Sequence, residues 1–490
     1  LGVVERIIMG NNQKTDKSLA SGVIWKFAER VFAQGVSFIV SLILARLLLP
    51  EDFGVVALVI VFIEIANVFI VSGLNSSLIQ KKEINEEEIS TIFYCCLILG
   101  AILYGVMFIA APIIAWFYEQ PVLTTVIRVF ALRLPIASIQ QVPSALLSRE
   151  LAFKKFFFST SIGTVISAVV GIGMALGGYG VWALVAQSLV AALSDAVILS
   201  IVAKWRPKKM FSLKVAAPLL SYGSKIMAAD VIGTVFNNLS SMIIGRKYTS
   251  SDLAYYTKGK NLPYMFRNNI YTTLISVMFP VMSKVGDDFE EVKAVARRSI
   301  RMLAYVIFPM MVGMICVSEE LVIVLYTEKW IAMVPFITIV CIECMISIIP
   351  TIALQTLKAT GYSGIILKLE FIKKPLLLAS ILISLNFGVK AVAWTLPINT
   401  VIELVLNSIF SAKVIKYGLI EQIKDVLCPL FLSLGMSVAI YFTSLLNIHV
   451  ILGLVLNITV GIVAYIALSA IFKVEEFKVL LGFVKSKLRK

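Results

Sequence analysis

Some fourteen apolar stretches, each long enough to cross a lipid bilayer, follow one another along this chain, and nothing else in the sequence narrows its fold as much. A membrane-spanning helix needs about 20 mainly apolar residues. The stretches lie near residues 20–48, 54–76, 90–117, 122–147, 156–177, 180–203, 215–245, 257–282, 296–317, 333–357, 364–386, 389–412, 427–446 and 450–472. Of all residues, 59% are hydrophobic and 15% charged, and the mean hydropathy is +0.94. Soluble domains carry charge on about a quarter of their residues, so an all-α integral membrane protein is expected.

The net charge of +15 does not point to nucleic acid, because the bases concentrate in short connections between apolar runs. They cluster at Lys14 and Lys17, Lys81 and Lys82, Arg149 to Lys155, Lys204 to Lys214, Lys284 to Arg298, Lys358, Lys413 to Lys424, and in the tail. The alternate connections are poor in bases: Pro50–Phe53, Tyr118–Pro121, Gly177–Gly180, Asn386–Val389 and Asn447–Val450. Arg246 and Lys247 are the main exception. Basic loops stay on the cytoplasmic side, which predicts cytoplasmic termini and an even number of spans. The polar start through Lys17 leads into the first span, and no cleavable signal peptide is expected. Cys341 and Cys344, like the adjacent Cys95 and Cys96, lie in apolar runs and read as small packing residues. A single histidine, His449, excludes multi-histidine zinc sites.

A repeat organises the spans. Arg30, Gln34, Ser37 and Ser41 stand in register with Asp230, Thr234, Asn237 and Ser241, and Arg46 and Asp52 with Arg246 and Asp252. Six spans precede the second copy, so the repeats are parallel, related by a pseudo-two-fold along the membrane normal. The expected layout is a lobe of six helices over 1–203, a linker over 204–214, and a second six-helix lobe over 215–412. Two extra helices over 413–472 and a basic amphipathic tail over 473–490 complete it.

Charge inside a bilayer helix costs roughly 2.5–3.5 kcal/mol and persists where it faces a wet or protein-lined interior. Lys26, Arg30, Arg133, Lys225, Arg267, Lys373 and Lys374 set against Glu29, Glu64, Asp230, Glu343 and Glu370 make an interior that leans cationic. Such a cavity favours an anionic ligand, and arginine forks suit phosphate oxygens. Those seven bases are the candidate substrate contacts. Asp230 and Glu64 are the candidates for a coupling Na⁺ or H⁺. The glycines from Gly163 to Gly180 follow no phosphate-loop pattern and fit close helix packing.

Ser21-Gly-Val-Ile-Trp-Lys-Phe-Ala-Glu-Arg30 and Leu44-Ala-Arg-Leu-Leu-Leu-Pro-Glu-Asp-Phe-Gly54 resemble the opening of Wzx-type polysaccharide flippases. These belong to the multidrug/oligosaccharidyl-lipid/polysaccharide (MOP) exporter superfamily. Gly178-Tyr-Gly-Val-Trp-Ala-Leu184 and Tyr255-Tyr-Thr-Lys-Gly-Lys260 resemble later segments of that family. The resemblance implies a non-enzymatic transporter in the bacterial cytoplasmic membrane. Its implied cargo is an undecaprenyl-pyrophosphate-linked oligosaccharide, moved by alternating access and driven by an ion gradient rather than ATP. Implied partners are the polyprenyl-linked glycan, membrane lipids, and a polysaccharide polymerase and chain-length regulator. A multidrug or organic-ion antiporter of the superfamily would normally show about twelve spans and an acidic cavity. A membrane-embedded polymerase would carry a sizeable outer loop, whereas the outer connections here are a few residues long.

Overall fold

A computed structural model describes residues 32–71, 78, 84–150, 152–286, 288–446 and 448–488. Helices dominate, and no strand occurs among the described residues. Lys26, Glu29 and Arg30 lie outside them, as does the side chain of Lys225. Among the described residues, eleven of the fourteen stretches are helical segments long and apolar enough to cross a membrane, two of them interrupted within the span. Of the remaining three, 20–48 is described from Phe32 onward, where it is the apolar helix α1 (Phe32–Leu47). The other two are continuous helices interrupted by charge: α9 (Ser250–Lys284) by Lys258, Lys260 and Arg267, and α14 (Ser363–Ser384) by Lys368, Glu370, Lys373 and Lys374.

Packing divides the chain into two compact units, Leu1–Ala254 and Tyr255–Lys490, with the division inside α9. The first unit holds α1, α2 (Pro50–Val71), α3 (Glu86–Phe117), α4 (Val122–Phe130), α5 (Arg133–Arg149), α6 (Phe153–Leu176), α7 (Val181–Val202) and α8 (Leu213–Lys247). Within it α6 packs on α7, α3 and α7 pack on α5, and α8 packs on α2. Residues 204–212 connect α7 to α8 without helix. The connection is held to the start of α3: Ser90 and Thr91 hydroxyls accept from the Lys208 and Ser212 N–H groups at 3.2 Å, and Trp205 stacks edge-on to Phe93.

The second unit continues with α10 (Phe289–Cys316), α11 (Ser318–Leu325), a 3₁₀ turn (Glu328–Met333), α12 (Val334–Ile346), α13 (Ile348–Ala359), α14, α15 (Val389–Ile415), α16 (Leu419–Ser444), α17 (Val450–Ile471) and α18 (Glu475–Leu488). Its centre is α10, packed against α12, α13 and α16 and buried through Ile300, Leu303, Ile307 and Met311. The Tyr305 hydroxyl donates to Ser469 Oγ, and Tyr465 donates back to the Tyr305 carbonyl, each at 2.8 Å, tying α17 to α10. The basic tail is helical as α18, with Val474 and Phe477 against that core.

Two expected single spans are broken helices. The stretch 122–147 is α4 and α5, separated at Ala131–Leu132, and 333–357 is α12 and α13, separated at Ser347. Each break precedes a proline by a few residues, Pro135 and Pro350. A proline cannot donate to the carbonyl four residues back and its ring clashes there, so the helix interrupts at that turn.

The repeat is visible in the fold. α1 ends at Leu47 and α2 begins at Pro50, while α8 ends at Lys247 and α9 begins at Ser250. Asp52 and Asp252 close the two turns alike, since each carboxylate accepts the N–H three residues back, Leu49 and Thr249, at 3.2 Å. Burial repeats too, since Leu44 and Ala45 are buried like Ile244 and Gly245, and Arg46 is exposed like Arg246. Gly54 is required between the two turns. A Cβ there would stand 1.8 Å from the Ser250 carbonyl oxygen.

Candidate functional site

Each unit gathers charge among its helices. In the first, α2 presents Glu64 and Asn67, α5 begins with Arg133, α7 supplies Ser188 and Asp195, and α8 supplies Asn238. The α4–α5 break places Arg133 at a helix start, where the dipole disfavours a cation. Carboxylates compensate it: the charges acting on the guanidinium are those of Glu64 and Asp195, and its Nη1 donates to Ser188 Oγ at 3.3 Å. Asn238 Nδ2 donates to Glu64 Oε2 at 3.3 Å. Gly163 on α6 leaves room for Asp195, whose Oδ1 would lie 2.7 Å from any Cβ there. Arg128 is held elsewhere, its guanidinium 4.3 Å above the Phe108 ring and its Nε donating to the Phe108 carbonyl.

Of the two acids marked for ion coupling, Glu64 joins this cluster and Asp230 does not. Asp230 is exposed on α8, two turns before Asn238 or about 12 Å along the axis. Its carbonyl accepts from Thr234 Oγ1 at 2.8 Å.

The second unit centres on Arg267. Its Nη1 lies 3.2 Å from both Glu343 carboxylate oxygens and 3.3 Å from Ser347 Oγ. Glu343 is buried on α12 and also accepts from Thr400 Oγ1 of α15 at 3.4 Å. The outer edge of the guanidinium, Nε and Nη2, donates to the neighbouring Asn268 Oδ1. Tyr264 and Tyr271 sandwich the cation, with ring centroids 4.2 and 5.4 Å from Cζ, and Lys260 stands 5.8 Å from the Tyr264 centroid. Gly259 lets α9 approach this closely, because a Cβ there would meet Phe336 Cβ at 2.7 Å.

Lys373 and Lys374 form a separate group on α14. Lys373 is buried, with Nζ 3.9 Å from Glu370, and Lys374 Nζ is 3.4 Å from the other oxygen of that carboxylate. Glu403 of α15 lies within the field of both lysines, of Glu370 and of Glu343. Asp195 and Glu403 are acids outside the set that the sequence singles out, and they temper the expected cationic surplus. Charges brought into an apolar interior persist by pairing. The aromatic partners of Arg267 are likewise outside that set. Their signal is nonetheless present: Tyr256, Lys260, Tyr264, Arg267 and Tyr271 step by three or four and share one face of α9.

No group of three or more His, Cys, Asp or Glu among the described residues is arranged to hold a metal ion. Membrane-length helices with paired charges in their midst define a multi-pass membrane protein. Its fold is that of the lipid II flippase MurJ in an inward closed conformation, at a TM-score of 0.71 over 92% of this chain and 98% of that one. At 15% identity the likeness is of fold. Residues 43–335 match the family profile described as polysaccharide biosynthesis protein, and the chain belongs to that family. Among curated relatives, the lipopolysaccharide biosynthesis protein WzxC of Escherichia coli is 23% identical over 86% of each chain. The succinoglycan biosynthesis transport protein ExoT of Rhizobium meliloti is 24% identical, and the match spans 64% of either protein, just under two thirds of its length.

Proposed function

We propose that this protein moves undecaprenyl-pyrophosphate-linked oligosaccharide repeat units across the bacterial cytoplasmic membrane, from the inner to the outer leaflet. It works as a transporter and not as an enzyme, by alternating access between two lobes, with fourteen spans and both termini in the cytoplasm. The observation that carries this reading is Arg267. A guanidinium held on one edge by Glu343 and cradled by tyrosines keeps its other edge on a lone asparagine side chain, which a phosphate oxygen can displace. The names of WzxC and ExoT, and the substrate in the name of MurJ, support a lipid-linked glycan as cargo. Lys26, Arg30, Arg133, Lys225, Lys373 and Lys374 share the role of drawing in the pyrophosphate. Glu64 and Asp230, at separate positions, are the candidates to bind the coupling Na⁺ or H⁺. Products pass to a polymerase and its chain-length regulator.

The test is reconstitution in liposomes with a fluorescent lipid-linked oligosaccharide under imposed Na⁺ or H⁺ gradients. Translocation that depends on a gradient and is lost in a folded Arg267→Met, Glu343→Leu double variant supports the reading. Transport of organic cations with no movement of the glycan overturns it in favour of an antiporter.

A further inference from the structure

Two bases, Arg246 and Lys247, break the loop-charge pattern, and both are exposed at the end of α8. Arg246 lines a cleft of about 500 Å³ where α3 and α8 both end, together with Trp116, Phe117, Glu119 and Thr124. This is the end of α8 remote from the basic connection 204–212. Arg246 Nη2 lies 2.9 Å from Glu119 Oε1, and its guanidinium stands 5.4 Å from the Phe117 ring centroid. Both charged side chains reach solvent, so the pair is screened and yields readily to a competing polar ligand. Trp116 is 79% exposed beside them.

Glu119 occupies an unusual position. It follows α3 in the left-handed region, at φ 55°, with its N–H on the Trp116 carbonyl and the next N–H on that of Ala115. Helices normally end in this way on glycine, which has no Cβ to strain. A glutamate here gives up that relief and places a carboxylate against Arg246 at the mouth of the cleft.

An open indole beside an acid–base pair matches the two kinds of surface on a sugar. The C–H face of a pyranose is apolar and lies flat on an aromatic ring, while its hydroxyls donate to a carboxylate and accept from a guanidinium. An indole that merely anchors the chain at the membrane interface needs no such pair. A lipid phosphate would meet repulsion from Glu119. We propose that this cleft is a sugar-binding subsite, in which Trp116 stacks on one pyranose ring and Glu119 with Arg246 bonds its hydroxyls. The class of ligand rests on the lipid-linked glycan reading above.

The experiment uses the full-length protein in detergent and, as probe, short oligosaccharides released from the host's own surface polysaccharide, without lipid or phosphate. Saturation-transfer NMR is expected to show contact with the sugar C–H protons. Trp116→Ala is expected to weaken binding about tenfold and Trp116→Tyr to restore most of it. Glu119→Gly is expected to weaken binding while leaving thermal stability equal or higher, an outcome that separates recognition from folding. Absence of transfer in the wild type, or unchanged binding in Trp116→Ala, overturns the subsite. Liposome transport run in parallel separates the two ideas. Glycan translocation with unchanged Trp116→Ala binding removes only the subsite, and sugar binding without any glycan translocation removes the transport reading and leaves the subsite standing.

Discussion

Replacing Glu343 by leucine strands the guanidinium of Arg267 in a low-dielectric interior. The two side chains are 16% and 9% exposed and 3.2 Å apart. At an effective dielectric of about 20 the gross attraction at that distance is about 5 kcal/mol. Desolvation of both ions offsets much of it, so the pair contributes little net, yet losing one partner leaves an uncompensated charge at about 3–5 kcal/mol. Glu343 also accepts from Thr400, and the Arg267 Nη1 that it holds keeps Ser347 as its remaining partner. Glu343→Leu and Arg267→Met are therefore each expected to destabilise strongly, and the double variant to recover to within about 1 kcal/mol of wild type. Thermal and denaturant unfolding in detergent of the four proteins forms the cycle. The double variant separates structure from transport: it should fold and yet fail to move a lipid-linked glycan, because no guanidinium remains to meet the phosphate. Additive losses in the double variant, or an unaltered Glu343→Leu protein, would refute the reasoning, for the charges would not then share one buried site.

Gly54→Ala forces a methyl group onto the Ser250 backbone, which must retreat by more than an ångström; about 3 kcal/mol or more of destabilisation is expected, measured as loss of folded protein on size exclusion. Asp425, 1% exposed at its side chain, receives Arg297, Arg301 and the Tyr417 hydroxyl. Asp425→Ala should cost about 2 kcal/mol, less than for a fully buried pair because both arginines reach solvent, and should show as a lower unfolding midpoint. Burial pushes the Tyr118 phenol up to about 12, a rise the Arg246 charge partly opposes, and burial likewise pushes Tyr326 up to about 12. A raised phenol pKa means that the folded state holds the proton longer, so this stability is complete below pH about 10 and is lost as pH climbs toward 12. Tyr118→Phe should flatten that decline in an alkaline unfolding series, and an unchanged slope would remove Tyr118 as a contributor.

The broken helices and the paired charges mark where one-dimensional reading stops. Pro135 and Pro350 are visible in the sequence, and the breaks before them follow from a missing N–H and a ring clash. Hydropathy averaged over a span does not register them. The spacing of Lys260, Tyr264, Arg267 and Tyr271 puts an aromatic and cationic face on α9, but its partner Glu343 is 76 residues further on, and no local pattern links them. Asp195 and Glu403 lie in apolar runs as Glu64 and Glu343 do, and sequence alone does not show that they stand within the field of Arg133 and of Lys373 and Lys374.

Membrane residence, a helical fold and the doubled frame at residues 46–52 and 246–252 belong to the sequence alone, because hydropathy and repetition are properties of residues in order. Only the tertiary structure decides which charges meet. It joins Arg267 to Glu343, sets Asp230 apart from Glu64, and turns Arg246 from an anomaly of loop charge into one wall of a cleft. The physical reason is that burial is governed by local composition, whereas pairing depends on distances of a few ångströms between helices far apart along the chain. Those distances are set by packing details as small as the absent Cβ of Gly54 or Gly259.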